Sequence, residues 1–342
     1  MSAPGRRRKR GGEARKGVGD RFRRAVSLGA RLPMKVFRSL DEARESGVLR
    51  GGAVAIGNMD GVHLGHRRLL RVALGLAPAA GVLTFEPHPA KVLRPELAPP
   101  LLTPLGRKLE LLGEPGLVAT VVQPFDRAYA ATPAREFVAR DLGSGLGVAH
   151  VVVGHDFTAG RERASVEALG PLLKARGIAL KLVDPVTSDG LVVSSTKIRE
   201  FLLEGNVEAA RLLLGRPYDL DGSVVKGAGR GRGIGFATAN VKTEQLLPAN
   251  GVYLVGVRLG GASGRERAGV CNVGVKPTVE AAGGVVLEVH LLDFDGRDLY
   301  GEAIRVAFQN RLRDERRFPS LEALRARIAE DVALARTLWE GR

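Results

Sequence analysis

The run Ala53-Val54-Ala55-Ile56-Gly57-Asn58-Met59-Asp60-Gly61-Val62-His63-Leu64-Gly65-His66 decides how the first half of this chain folds. Its four leading apolar residues read as a buried strand. The glycine-spaced segment behind them reads as a turn in which backbone can approach a ligand closely. Residues 67–74, Arg-Arg-Leu-Leu-Arg-Val-Ala-Leu, then place apolar side chains at helical spacing. A helix start offers unpaired N–H groups and a positive dipole end, which suits a phosphate. His63 and His66 stand three residues apart, so both imidazoles can face one side of the first turn. Fixed donors of this kind suit nucleotidyl transfer, where negative charge builds on phosphate oxygens. Spacing alone equally allows one histidine to cap the helix while the other packs.

Outward from this run the same alternation continues. Residues 53–56, 82–85, 118–122, 150–153 and 179–183 read as strands, and 65–74, 105–112, 133–142, 165–175 and 196–203 as helices. Buried strands alternating with helices predict an α/β fold, a parallel sheet covered on both faces. Ligands bind beyond the carboxyl ends of such strands, where residues 57–66, 86–89 and 154–157 all fall. A further helix over 207–214 stops at Gly215, with Pro217 beyond it. From there strands follow one another without helices, at 219–226, 251–259, 268–275, 285–292 and 303–309, which predicts an antiparallel barrel or sandwich. Residues 321–338 close the chain as an amphipathic helix with Leu321, Leu324, Ile328, Val332 and Ala335 in one stripe. The expected boundary between the two domains lies near Arg216.

At 342 residues and 44% hydrophobic content the chain can bury two cores. Its net charge of +15 suggests a nucleic-acid binder until it is mapped: residues 1–33 hold eleven Lys/Arg against Glu13 and Asp20. That basic, apolar-poor segment reads either as a disordered tail or as sequence ahead of a start at Met34. Cys271 is the only cysteine, which excludes an intrachain disulfide and suits a reducing, cytoplasmic setting. The longest apolar stretch, 72–85, is broken by Gly75, Pro78 and Gly81, so no membrane span is expected.

Several words of the sequence fit one family in its order from Met34 onward. In the first half they are residues 57–66, Phe85-Glu86-Pro87-His88-Pro89, Val153-Gly154-His155-Asp156-Phe157 and Ser194-Ser195-Thr196-Lys197-Ile198-Arg199. In the second they are Leu214-Gly215-Arg216-Pro217-Tyr218, residues 231–240, Gly251-Val252-Tyr253, residues 272–278 and Leu287-Glu288-Val289-His290. Together they resemble the bacterial bifunctional riboflavin kinase/FAD synthetase. The resemblance implies a Rossmann-like FMN adenylyltransferase domain over 34–216 and a β-barrel riboflavin kinase domain with a C-terminal helix over 217–342. The implied partners are riboflavin, FMN and ATP with Mg²⁺, without specific nucleic acid or membrane, and the oligomeric state stays open.

Residue roles follow from the same resemblance. His63 and His66 match the paired histidines that hold ATP phosphates, with Gly57, Asn58, Asp60 and Gly61 around them. Ser194, Ser195, Thr196 and Arg199 match a second phosphate loop; read alone, that segment is an ordinary N-cap before a helix. Asp156 matches a polar position of the flavin or nucleotide pocket. Gly229, Gly231 and Gly233 match a glycine-rich flap, whose register gives neither a dinucleotide fingerprint nor a P-loop. Thr238 and Asn240 match magnesium and phosphate ligands, and oxygen donors suit that ion. Glu288 matches the general base for the riboflavin hydroxyl; its strand pattern alone would make it a solvated carboxylate. Arg305, Arg311 and Arg313 read as surface charges. The chain departs from the family at Met59, Ala237 and Ala159, the last where a second aromatic commonly follows Asp156-Phe157. Two rival readings remain: a kinase whose adenylyltransferase half is weak, and an RNA-binding protein acting through the basic tail.

Overall fold

A computed structural model describes residues 33–226, 238–260, 264–275, 285–294 and 297–342. The basic segment 1–32, the glycine-rich stretch with Gly229, Gly231, Gly233 and Ala237, and residues 276–278 lie outside the described residues.

The first half runs β1 (Lys35–Phe37), α1 (Leu40–Ser46), β2 (Ala53–Ile56), α2 (Leu64–Leu76), β3 (Ala80–Glu86), α3 (Pro89–Leu93), α4 (Leu105–Gly113) and β4 (Ala119–Pro124). It continues with α5 (Arg127–Ala130), α6 (Ala134–Glu136) running into a π-helix (Phe137–Leu146), β5 (His150–Gly154), α7 (Val166–Lys174) and β6 (Ala179–Val183). A two-stranded hairpin, β7 (Thr187–Ser188) with β8 (Leu191–Val192), precedes α8 (Ser195–Leu203) and α9 (Val207–Leu214). Six parallel strands form one sheet in the order β1-β4-β3-β2-β5-β6. Alternate residues of β2 feed opposite faces. Val54 and Ile56 join a core with α1, the π-helix and α7, while Ala53 and Ala55 join one with α2 and α4.

Chain order turns back at β2: one side of it carries β3 and β4, the other β5 and β6. Open α/β sheets bind ligands at such a switch point. The loop carrying His63 leaves the sheet there.

The second half forms a closed antiparallel barrel of β9 (Tyr218–Val225), β10 (Ala239–Lys242), β11 (Gly251–Leu259), β12 (Arg267–Val275), β13 (Val285–Leu291) and β14 (Ala303–Arg313), ordered β10-β13-β12-β11-β14-β9. Closure leaves no sheet edge unpaired. The C-terminal helix α10 (Leu321–Glu340) covers the outer face of β11 and β12 through Val332, Ala335 and Trp339. Helices α8 and α9 send Ile198, Leu202, Leu213 and Leu214 into the same core as barrel residues Tyr218, Leu220 and Phe308.

The structure corrects several expectations. β1, α1 and β10 were not foreseen. α1 carries its own start signal, Ser39 accepting a hydrogen bond from the Glu42 N–H. The predicted helical stripe fails at Leu321, which is exposed, and Asp331 is buried instead. Asp331 sits there because Arg313 clamps it at 2.8–3.1 Å. Arg313 and Arg305 are therefore not free surface charges: Arg305 is buried and binds Asp221 and Glu110. Arg311 donates to the carbonyls of Glu204 and Asn250, which ties α8 to the barrel. A guanidinium presents five donors, and sequence pattern does not show who accepts from them. Among the described residues no helix is long and apolar enough to cross a membrane.

Candidate active sites

The first site grows out of the turn between β2 and α2. Met59 and Val62 adopt left-handed φ values of 52° and 39°, flanking Gly61 at 87°. This tight coil is strained for a β-branched valine, a cost that folds accept mainly at ligand sites. It delivers His63 to the N-cap of α2, where its Nδ1 accepts the His66 N–H at 3.3 Å. Accepting at Nδ1 leaves the proton of neutral His63 on Nε2, so that nitrogen is a donor. Capping and phosphate binding are thus two ends of one ring. The His66 ring stacks on it, centroids 3.6 Å apart and planes 17° from parallel. Gly65 makes room, since a Cβ there would stand 3.0 Å from His63 Cε1.

Burial keeps both rings neutral. It lowers His63 to about 4, against a smaller upward pull from Asp60. It lowers His66 as well, with His63 and Lys108 opposing a charge there. His66 Nδ1 is buried and has no hydrogen-bond partner. A buried polar atom without a partner costs free energy, and an incoming ligand can relieve that cost.

Asp60 faces inward. It accepts the N–H groups of Leu102 and Thr103 at 2.9–3.2 Å, the Thr103 hydroxyl, and the Arg199 guanidinium. Thr103 Oγ1 in turn accepts the Gly61 N–H, and Ser195 Oγ donates to the Asp60 carbonyl at 2.8 Å. Arg199 Nε also donates to the Pro100 carbonyl. The fold therefore brings Asp60, Gly61, His63, His66, Ser195 and Arg199 together. Ser194 is the N-cap of α8, accepting from Lys197 N–H, and Thr196 is exposed one residue inside the helix. Gly57 donates its N–H to the Leu83 carbonyl. Asn58 Nδ2 lies 3.4 Å from His88 Nε2. Asp156 stands exposed in the turn after β5, the strand beside β2. Ala159 is buried and bridges to Ala164.

Three residues of this region were given no role by the sequence reading. Lys108 is buried on α4, His88 caps α3, and Arg216 donates to the Gly61 carbonyl at 2.9 Å. Burial lowers Arg216 to about 10. For Lys108 a signal existed: a lysine among the apolar positions of an otherwise amphipathic helix.

The second site is a row across three barrel strands. Asn240 of β10 lies opposite Glu288 of β13, which lies opposite Asn272 of β12. Directly paired residues share a face. Leu287 and Val289 point into the barrel core, so this row points out of it. Asn240 is buried and its Oδ1 has no partner, whereas Glu288 is half-buried and Thr238 exposed. A buried amide oxygen awaiting a partner beside a carboxylate fits a hard divalent cation or a phosphate-bound one. The two rows of chemistry are built differently but share one chain.

Comparison with known proteins agrees on both halves. A riboflavin kinase family model matches residues 214–339 and an FAD synthetase model residues 46–197. The bifunctional riboflavin kinase/FMN adenylyltransferase of Pseudomonas fluorescens is 41% identical over 311 residues, covering 89% of this chain and 98% of its own. That of Escherichia coli K12 is 38% identical over 317 residues, with 90% and 98% covered. A crystal structure described as a macrolide-efflux protein from Streptococcus pneumoniae shares the fold, with a TM-score of 0.79, 29% identity and 89% and 99% covered.

Proposed function

Because the chain belongs to the bifunctional riboflavin kinase/FMN adenylyltransferase family, it converts riboflavin to FMN and FMN to FAD, and we propose how its residues divide that work. In this reading residues 34–216 carry adenylyl transfer and residues 217–342 carry phosphorylation. The observation that supports it is that each candidate site holds a buried polar atom without a hydrogen-bond partner, His66 Nδ1 in the first and Asn240 Oδ1 in the second.

In the kinase half, the ribityl hydroxyl of riboflavin attacks the terminal phosphorus of ATP and ADP departs. Glu288 accepts the hydroxyl proton; a positioned base of this kind contributes roughly 10²–10⁴-fold. Thr238 and Asn240 would hold Mg²⁺, which supplies charge neutralisation on the ATP phosphates. Gly229, Gly231 and Gly233 would cover those phosphates.

In the adenylyltransferase half, an FMN phosphate oxygen attacks the α-phosphorus of a second ATP and pyrophosphate leaves. No covalent enzyme intermediate is needed, so positioning and charge stabilisation do the work. His63 Nε2–H and His66 donate to the phosphate oxygens from a dry site. Arg199, held by Asp60 and the Pro100 carbonyl, turns its remaining N–H groups to the leaving pyrophosphate. Asp60 acts by positioning. Gly57, Asn58 and Gly61 line the approach, Ser194, Ser195 and Thr196 form the second phosphate loop, and Asp156 faces the flavin. The cytoplasm, where ATP is plentiful, is the compartment this reading favours.

A time course with riboflavin, ATP and Mg²⁺ tests it, with riboflavin, FMN and FAD separated. FMN rising first and FAD after it is the expected result. FMN alone would favour the kinase-only rival and point to Ala159.

A further inference from the structure

Helix α4 distributes its side chains among three tasks. Leu111 and Leu112 enter the sheet core. Arg107 and Glu110 turn to the barrel, where Arg107 binds Asp219 at 2.6 Å and Glu110 binds Arg305 at 2.8 Å. Lys108 shares the buried face with Leu111 and Leu112 yet carries a charge, and it is only 2% exposed.

A buried ammonium needs strong compensation. Arg305, the other buried cation among the described residues, has it, touching Glu110 and Asp221 at hydrogen-bond distance, as do the part-buried Arg107 and Arg313 with Asp219 and Asp331. The ion-pair partner of Lys108 is Glu86 at 3.8 Å, beyond hydrogen-bond reach and one-third exposed. Glu86 ends β3, the strand beside β2, so the ammonium lies at the carboxyl end of the sheet next to residues 57–66. Its charge is felt by His66 and His88, and burial lowers its own pKa against the pull of Glu86 and Asp60. His66, which feels that charge, is also the residue whose buried Nδ1 has no hydrogen-bond partner.

We propose that Lys108 is a further catalytic residue of adenylyl transfer, its ammonium contacting the β- and γ-phosphates of ATP and stabilising the pyrophosphate as it leaves. This rests on reading the His63/His66 pocket as the adenylyl-transfer site. The bond from the α-phosphorus to the bridging oxygen breaks and its electron pair goes to pyrophosphate. The FMN phosphate oxygen forms the new bond, and Lys108 stays protonated throughout, donating hydrogen bonds only. The phosphates supply the negative charge that Glu86 is too distant and too wet to supply.

Lys108→Met tests this in the full chain, with riboflavin phosphorylation in the same sample reporting on the fold. The expected result is a loss of FAD formation of about 100-fold in kcat. Inhibition by added inorganic pyrophosphate should weaken at least about tenfold, while KM for FMN and kinase activity stay within about twofold. Glu86→Gln should keep most FAD formation and its sensitivity to pyrophosphate. Unchanged pyrophosphate inhibition in Lys108→Met, or equal losses in the two variants, would make Lys108 a structural partner of Glu86 and overturn the proposal. Should Lys108→Met lose both activities, Lys108→Arg decides: restored pyrophosphate inhibition supports the role and its absence overturns it. A wild-type chain that makes FMN but no FAD would remove the underlying reading, and this role with it.

Discussion

The two candidate active sites solve the problem of holding charged groups in opposite ways. The His63/His66 site is assembled from loop ends, strained backbone and a helix start, and the Asp60 carboxylate at its base is saturated by protein donors. Its geometry exists before any ligand arrives. The Asn240–Glu288–Asn272 row is instead a product of strand register on a barrel wall, with Glu288 half-open to water. Loops allow convergence of residues from distant positions but need many internal bonds to hold them. A ladder holds its side chains automatically, though only in line. The first site should therefore be sensitive to small displacements and the second mainly to loss of the group that does the chemistry.

Replacement of that group is the most damaging test. Glu288→Gln keeps the shape and removes the proposed base, so riboflavin phosphorylation should fall by about 10³-fold while supplied FMN is still converted to FAD. Kinase activity near wild type would remove Glu288 as the base. His63→Ala is the mirror experiment. It removes a preorganised donor together with the cap of α2, and FAD formation should drop by about 10²–10³-fold with FMN accumulating. Equal loss of FMN production in a folded variant would break the separation of the two sites.

Much of this was legible beforehand because the decisive signals are local. The period change from buried runs and helical spacing to consecutive strands marks where sheet gives way to barrel. The paired histidines stand at helical spacing after a buried strand, which brings their rings to one side of a helix start without deciding between capping and phosphate binding. Arg305 and Arg313 were not legible, because a charge is assigned to the surface unless its partner is known. Glu110 and Arg305 are 195 residues apart in sequence. β10 was missed because Ala239–Lys242 offers four residues, two of them polar, and becomes a strand only by pairing with β9 and β13. Asp60 carries a sharper lesson. It looks like a ligand-facing acid within a phosphate-binding word, and folding turns it inward to hold Arg199 and the backbone of residues 102–103.

The dryness of the first site gives a thermodynamic test of the contrast. Unfolded, His63 takes up a proton near its ordinary value of 6.5; folded, it resists until about pH 4. Between those values the unfolded chain binds the proton and the folded chain does not, so stability falls as pH drops through that window. From pH 7.5 to 5, His63 alone should cost about 2 kcal/mol, roughly thirty-fold in the folding equilibrium. His63→Asn keeps a good N-cap and removes the titration. Urea unfolding at the two pH values should show a smaller acid loss in this variant. Identical acid losses would mean that the ring is not held neutral by burial.

Gly65→Ala is expected to have the smallest effect and separates stability from activity. Alanine is the better helix former, so within α2 the change stabilises the helix by up to about 1 kcal/mol. The added Cβ would stand 3.0 Å from His63 Cε1 and 3.1 Å from Nδ1, which forces the ring to shift by a few tenths of an ångström. The His63 cap can absorb that displacement, but a donor aimed at a transition state cannot do so without loss. Thermal unfolding should move to the same or a higher midpoint, kcat for FAD formation should fall about tenfold, and riboflavin phosphorylation should not change. If FAD formation also held at its wild-type rate, the first site would tolerate displacement as the barrel row does. The preorganisation that distinguishes the two sites would then have to reside in Asp60 and Arg199 rather than in the stacked imidazoles.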